Sequence, residues 1–157
     1  MPNIDEIYFQ EAAKEAKLAT CHRAKCGCVI VAADKSIIGR GHNSPPGDDE
    51  AQRTCDIADY DFSVKPKYDK TCCVHAEWKA ILDACKRRGK AIEGSTLYFM
   101  RINDKGEFTN ADAPYCTVCS RLTLESGVKW FVLWNGAPQV YDTSKYNKLS
   151  YDFHRGV

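Results

Sequence analysis

Two stretches in which a helical pattern starts directly behind metal-type side chains constrain this chain most: TCCVHAEWKAILDACKRRG, Thr71 to Gly89, and PYCTVCSRLTLESG, Pro114 to Gly127. In the first, Ala80, Ile81, Ala84 and Cys85 form one apolar stripe. Gly89 is the expected stop behind Lys86, Arg87 and Arg88, a basic run suited to the negative end of a helix. Each helix leads into a short run of β-formers, STLYFMRI and KWFVLW. Upstream, CGCVIVAADKSIIGRGHN reads as a hairpin, with strands over 27–33 and 36–41 around Asp34-Lys35. Ile4, Tyr8, Ala12, Ala16 and Ala19, with Ile7 and Leu18 nearby, predict a first helix over 4–20. Between Ser44 and Lys70 periodicity fails, which predicts a long loop with one helical turn near 50–60. NDKGEFTN reads as a turn within an excursion. Asn135-Gly136 behind KWFVLW is a hairpin signal that leaves no room for a crossover helix, so the final strand, QVYD, should run antiparallel. Helix, hairpin, helix, strand, helix, strand makes an α/β sandwich around one sheet.

The 157 residues fit one domain, 1–157, and with 44% hydrophobic residues the chain can bury a core without staples. Against 22 basic residues stand 21 acidic ones, a net charge of +1 that shows no commitment to nucleic acid or anionic membrane. A small ligand or protein partner fits better. No apolar run approaches the ~18 residues of a membrane span, and the acidic, amphipathic N-terminus does not read as a signal peptide. The expected location is cytoplasmic. Nine cysteines, an odd number that includes the adjacent pair Cys72-Cys73, argue for reduced thiols and metal ligands over a disulfide framework. Cys28 and Cys85, in apolar patterns, read as small buried hydrophobes.

Residues at i and i+2 on a regular helix do not face each other, so His75 and Glu77 can serve one site only where the chain is still turning into the helix. Cys116 and Cys119 have the two-residue gap that lets both sulfurs reach one tetrahedral metal, again at a helix start whose dipole favours thiolate. One histidine and two cysteines leave a zinc with one open position, the arrangement of a catalytic site in which zinc lowers the pKa of bound water toward about 7. A structural knuckle built on Cys116, Cys119 and two other cysteines is the alternative, but the sequence offers no second C-x-x-C.

H-x-E followed by P-C-x-x-C is the signature of zinc deaminases. On VHAEWKAILDA, YCTVCSRLTLESGVKWFVL and CHRAKCGCVIV…IIGRGHNSPPG, the chain resembles the cytidine and deoxycytidylate deaminase superfamily over most of its length, and its opening is closest to the deoxycytidylate enzymes. The resemblance implies a three-layer α/β/α sandwich around one mixed sheet of about five strands, with zinc held by His75, Cys116 and Cys119 and with Glu77 as proton shuttle. It also makes Asn43 a ligand for the substrate sugar or base, and the Ala76 backbone a contact to the ring carbonyl. Tyr115 stands directly before the first cysteine where the family has proline, and Pro114 comes one position earlier, which displaces the carbonyls that read the substrate amine. An antiparallel final strand resembles the free-cytidine enzymes instead. Some deoxycytidylate deaminases carry a second, structural zinc near the positions of Cys21, Cys55, Cys72 and Cys73; Cys21 and Cys55 fit that pattern best, and four free or buried thiols are the alternative.

The expected function is hydrolytic deamination of a free cytosine nucleotide or nucleoside, narrowly deoxycytidylate to deoxyuridylate plus ammonia, with Arg23 and Lys25 as phosphate contacts. A polynucleotide deaminase acting on tRNA or single-stranded DNA would share the zinc chemistry, but the near-neutral charge counts against it. A non-catalytic zinc-stabilised binding module would have no use for Glu77. The resemblance further implies a homo-oligomer.

Overall fold

The computed structural model describes residues 4–56, 63 and 71–156. Part of the loop expected over 44–70, including the last positions of its helical turn near 50–60, therefore lies outside the described residues. Within it, short 3₁₀ turns occupy Pro46–Asp48 and Glu50–Gln52.

Helix α1 (Glu6–Ala16) is followed by the antiparallel hairpin β1 (Lys25–Val31) and β2 (Ile37–His42). Helix α2 (Ala76–Arg88), strand β3 (Thr96–Ile102) and a two-residue strand β4 (Phe108–Thr109) come next. Helix α3 (Thr117–Glu125) then crosses to β5 (Trp130–Trp134), and β6 (Pro138–Asp142) leads into α4 (Thr143–Arg155). The sheet runs β2-β1-β3-β5-β6, with β4 folded back on β3. β3 and β5 pair in parallel and every other ladder is antiparallel, so the sheet is mixed and its last strand runs as expected.

Strand alternation divides the core into two layers. Val29, Val31, Tyr98, Met100 and Val132 meet Phe9, Ala12, Ala13 and Ala16 of α1. Cys28, Ile30, Leu97, Phe99, Phe131 and Leu133 meet Ala76, Ala80, Ile81 and Ala84 of α2 and Tyr146 of α4. Three layers follow, with α1 on the first face and α2 and α4 on the second. Phe9 is completely buried, which contributes about 2–3 kcal/mol of transfer free energy. It centres α1 on a stripe that the alanine spacing did not show, and Ile7 and Leu18 are exposed. The helix is shorter than the expected 4–20 because Asp5 caps it, its carboxylate accepting from Ile7 N at 3.0 Å.

α2 can approach β2 closely because two glycines face it. A Cβ on Gly41 would lie 2.3 Å from Ala76 O, and one on Gly39 would lie 2.3 Å from Ala80 O. The stripe that meets this surface is narrow, so Cys85, one position past Ala84, is exposed and is not the buried hydrophobe its pattern suggested. Cys28 is fully buried, as expected. Gly89 does not stop the chain in a left-handed turn; it keeps φ −45° and a 3₁₀ turn continues to Ile92.

α4 is absent from the sequence reading. Of its buried positions, Thr143, Tyr146 and Ser150, two are polar. Ser120 of α3 meets Asn147 Oδ1 and Ser150 Oγ, each at 2.8 Å, so the α3–α4 seam is hydrogen-bonded and carries no apolar stripe.

At the sheet edge His42 ties α1 to the loop before α2. Its Nδ1 lies 2.8 Å from Glu15 and its Nε2 2.8 Å from Asp48, which also meets the Ser44 hydroxyl and the Lys79 ammonium. Both ring nitrogens face carboxylates, an environment that suits the doubly protonated imidazolium.

Gly41→Ala should destabilise the fold by about 3 kcal/mol or more, because its two nearest neighbours, Ala76 O and Ala80 N, are backbone atoms and cannot rotate away; chemical denaturation reads this directly, and a loss under about 0.5 kcal/mol would contradict the close seating of α2. The hydrogen bond to Glu15, with Asp48 adding to it, raises the His42 pKa above 6.5 against partial burial. A raised histidine pKa stabilises fully below the unfolded value and loses that contribution as pH rises through the folded one. The stability gap between the parent and His42→Gln should therefore be widest below about pH 6 and close on the alkaline side of the raised value, as measured by denaturant midpoints across pH.

Candidate metal centre and its pocket

The site forms where two helix N-termini meet. His75 is the N-cap of α2 with extended backbone (φ −68°, ψ 152°), and its side chain makes no capping bond. The imidazole is turned to the sulfurs instead, with Nδ1 at 3.1 Å from Cys119 Sγ and 3.5 Å from Cys116 Sγ. Trp78 stacks on its other side, ring centroids 4.3 Å apart and nearly parallel. Cys116 is the N-cap of α3, its sulfur accepting from Cys119 N at 3.3 Å. The two sulfurs are 2.7 Å apart.

An antiparallel bridge between Ser44 and Val74 fixes the entry to α2, with Val74 N donating to Ser44 O at 2.8 Å. α3 is held over the same edge by its place between the parallel strands β3 and β5. The cluster therefore lies at the carboxyl ends of the parallel pair, where α/β sheets build their sites.

His75, Cys116 and Cys119 are the one group of three or more metal-type side chains among the described residues whose ligand atoms converge, all within 4.8 Å of one another. Two thiolate-capable sulfurs and an imidazole nitrogen form a borderline-soft donor set, and one tetrahedral zinc spaces its ligand atoms by about 4 Å. The residues present fit zinc. With three protein donors, a bound ion would keep a coordination position open to the pocket.

Glu77 is 7% exposed in the first turn of α2, with Oε2 accepting from Cys119 Sγ at 3.2 Å. Burial pushes its pKa above 4.5, against the pull of His75. The hydrogen bond shared with Cys119 draws the Cys116 thiol down to about 5, while burial pushes Cys119 well up. Burial alone would lower His75, but the Cys116 hydrogen bond and the Glu77 charge raise it. The pocket thus holds one sulfur poised as thiolate and one carboxyl whose burial favours its protonated form.

Asn43, Ala76, Arg23 and Tyr115 all line this pocket, and Lys25 does not. Lys25 points to the opposite face of β1, the side of its ladder partner Ile102, and its ammonium lies 3.8 Å from Asp104. Asn43 also braces the strand: Oδ1 accepts from Cys26 N at 2.9 Å and Nδ2 donates to Ala24 O at 2.7 Å. The Tyr115 carbonyl accepts from His154 Nε2 of α4 at 2.6 Å. Cys21, Cys55, Cys72 and Cys73 line the same pocket, their thiols hydrogen-bonded in pairs, Cys21 with Cys73 and Cys55 with Cys72. They do not join into a second converging group among the described residues. Arg101, Phe99, Leu133 and Tyr146 also line it and were missed, because each sits in a strand or helix whose pattern speaks only of packing.

A family model described as the cytidine and deoxycytidylate deaminase zinc-binding region matches residues 2–134, which leaves β6 and α4 beyond the match. A deoxycytidylate deaminase of Schizosaccharomyces pombe is 28% identical over 130 residues, 82% of this chain and 36% of the relative. The chain therefore spans about a third of that relative's length. Among solved structures, the dCMP deaminase of cyanophage S-TIM5 in complex with dCMP and dUMP is 26% identical with a TM-score of 0.57, covering 83% of this chain and 80% of that one. The cytidine deaminase of Burkholderia pseudomallei, 16% identical, shares the fold with a TM-score of 0.61 over 92% of this chain and 96% of that one. No helix among the described residues is long and apolar enough to cross a membrane.

Chain prepared without chelator should carry about one zinc, and Cys116→Ala should lose most of it, since removing one of three protein ligands leaves two. Metal analysis on the folded chains checks this; full retention of zinc in Cys116→Ala would contradict the ligand set.

Proposed function

Since the chain belongs to the cytidine and deoxycytidylate deaminase zinc-binding family, we propose that it deaminates a free cytosine nucleotide, deoxycytidylate to deoxyuridylate plus ammonia, as a cytoplasmic homo-oligomer. The observation that carries the reading is the buried Glu77 carboxyl beside the convergent His75, Cys116 and Cys119 in one pocket. A structural zinc has no need of a buried carboxyl with a raised pKa. The likeness to a phage enzyme that binds dCMP and dUMP supports the nucleotide.

Zinc, when bound, supplies Lewis acidity and makes water a competent nucleophile near neutral pH. Glu77 takes a proton from the attacking water and passes it to ring N3 as oxygen bonds to the carbon bearing the exocyclic amine. It then takes the remaining hydroxyl proton and gives it to the amine as the carbon–nitrogen bond breaks and the carbonyl forms, so one water is consumed and one ammonia leaves. The burial that raises Glu77 matches its proton affinity to this double duty. Ala76 opens α2, so its backbone N–H belongs to the first turn, whose donors lack helical partners and suit the ring carbonyl. Asn43, braced against β1, and Arg23 provide polar wall on the side of the sugar. Tyr115, whose hydroxyl accepts from Arg23 at 3.2 Å, closes the remaining edge.

Glu77→Gln should keep the fold and the zinc yet lose turnover by ~10²–10⁴-fold or more, because the amide can hydrogen-bond but cannot shuttle protons. Ammonia release measured on deoxycytidylate, deoxycytidine, cytidine, single-stranded DNA and tRNA tests both residue and substrate. Activity within tenfold of the parent would remove Glu77 from the chemistry. Salt-sensitive turnover of a polynucleotide with none of the free compounds would overturn the substrate.

A further inference from the structure

The pocket wall carries two arginines, Arg23 and Arg101, against the single carboxylate of Glu77. Arg23 has a partner in the Tyr115 hydroxyl. Arg101 stands near the end of β3 opposite Cys26 in the ladder. Strand alternation places it on the face of Leu97 and Phe99, inside the layer beneath α2. Its Nε is sealed from solvent and has no hydrogen-bond acceptor among the described residues. The side chain that meets the guanidinium is the Cys26 thiol, with Asp112 and Tyr115 acting only through longer-range attraction. Burial pushes Cys26 up to about 11, so this neighbour stays a neutral thiol and cannot serve as counter-ion.

A guanidinium is charged at every accessible pH, and holding it half-buried, with one nitrogen sealed and no carboxylate among the described residues in contact with it, is unfavourable. The missing charge is one a ligand would bring. The cytosine ring and the sugar are neutral, and the phosphate is the anionic part of a nucleotide. We infer that Arg101 is the anion-binding residue of this pocket and takes the phosphate of a nucleoside monophosphate, setting a preference for the phosphorylated substrate over the free nucleoside. Its planar fork matches phosphate oxygens two at a time. This assignment rests on the deaminase reading above and takes over the phosphate role expected of Lys25, which faces away.

Calorimetric titration of the zinc-loaded chain with deoxyuridylate and deoxyuridine, ligands that differ only in the phosphate, reads that share of the binding. Arg101→Gln should weaken deoxyuridylate by about tenfold or more and deoxyuridine by less than about twofold. Arg101→Lys should fall between, because an ammonium keeps the charge and loses the fork. Equal weakening of both ligands, or unchanged affinity for deoxyuridylate, overturns the assignment. Should Arg101→Gln fail to fold, the parent still decides: inorganic phosphate should displace deoxyuridylate and leave deoxyuridine bound, and phosphate without effect on either overturns the role. The substrate reading fails separately. A parent that binds other nucleoside monophosphates through Arg101 but deaminates no cytosine compound keeps the anion site and loses the deaminase, whereas a parent that binds no monophosphate loses the anion site.

Discussion

The close seating of α2 on β2 is the contact on which the rest of the molecule depends. Gly39 and Gly41 remove two side chains from the strand face, and the helix backbone settles against it, with Ala80 O and Ala76 O each 2.3 Å from where a Cβ would otherwise stand. That depth places the first turn of α2 beside the entrance to β1, where Asn43 holds Cys26 N and Ala24 O. His75 and Glu77, at the start of this helix, are then carried to the sheet edge that Cys116 and Cys119 reach from the other side. A helix lifted by one methyl layer would separate the imidazole from the sulfurs by more than a zinc ion can span.

The second dependence is electrostatic. Two helix N-termini converge, and each brings its first-turn backbone N–H groups and a partial positive charge to the pocket. Such a field favours thiolate at Cys116, whose pKa is drawn down to about 5 with the Cys119 hydrogen bond leading. Glu77 is subject to the opposite influence, because burial disfavours its charged form more strongly than His75 favours it. The proposed metal ligand and the proposed proton carrier thus obtain opposite pKa shifts within one pocket. The arginines then leave the pocket with positive charge to spare, which suits an anionic substrate.

Much of this was legible in the chain. The hairpin, both central helices, the parallel strands and the antiparallel last strand lie within a few residues of their expected places, since apolar periodicity and the Asn135-Gly136 turn report directly on local geometry. The ligand set was legible for a different reason: histidine, cysteine and glutamate at helix starts carry chemistry that packing alone does not require. α4 was not, because its inner face is made of Thr143, Ser150 and one tyrosine, and hydrogen bonds to α3 take the place of an apolar stripe. The Gly89 stop failed because a glycine permits a left-handed turn without demanding one, and this one stays right-handed.

By itself the sequence determined the class of fold and the identity of the metal-type donors, because both follow from residue type and short-range spacing. Which polar residues face the pocket was decided only by tertiary structure. Lys25 and Arg23 are two positions apart and look equivalent in sequence, yet the strand begins at Lys25 and turns it to the α1 face, while Arg23, ahead of the strand, lines the pocket. Arg101 reads as the polar end of an apolar strand, and it becomes a pocket residue because β1 and β3 pair in the register that sets it opposite Cys26. A shift of one residue in that register would send it to the other face of the sheet, and register is fixed by long-range pairing and burial, to which no local pattern in the chain gives access.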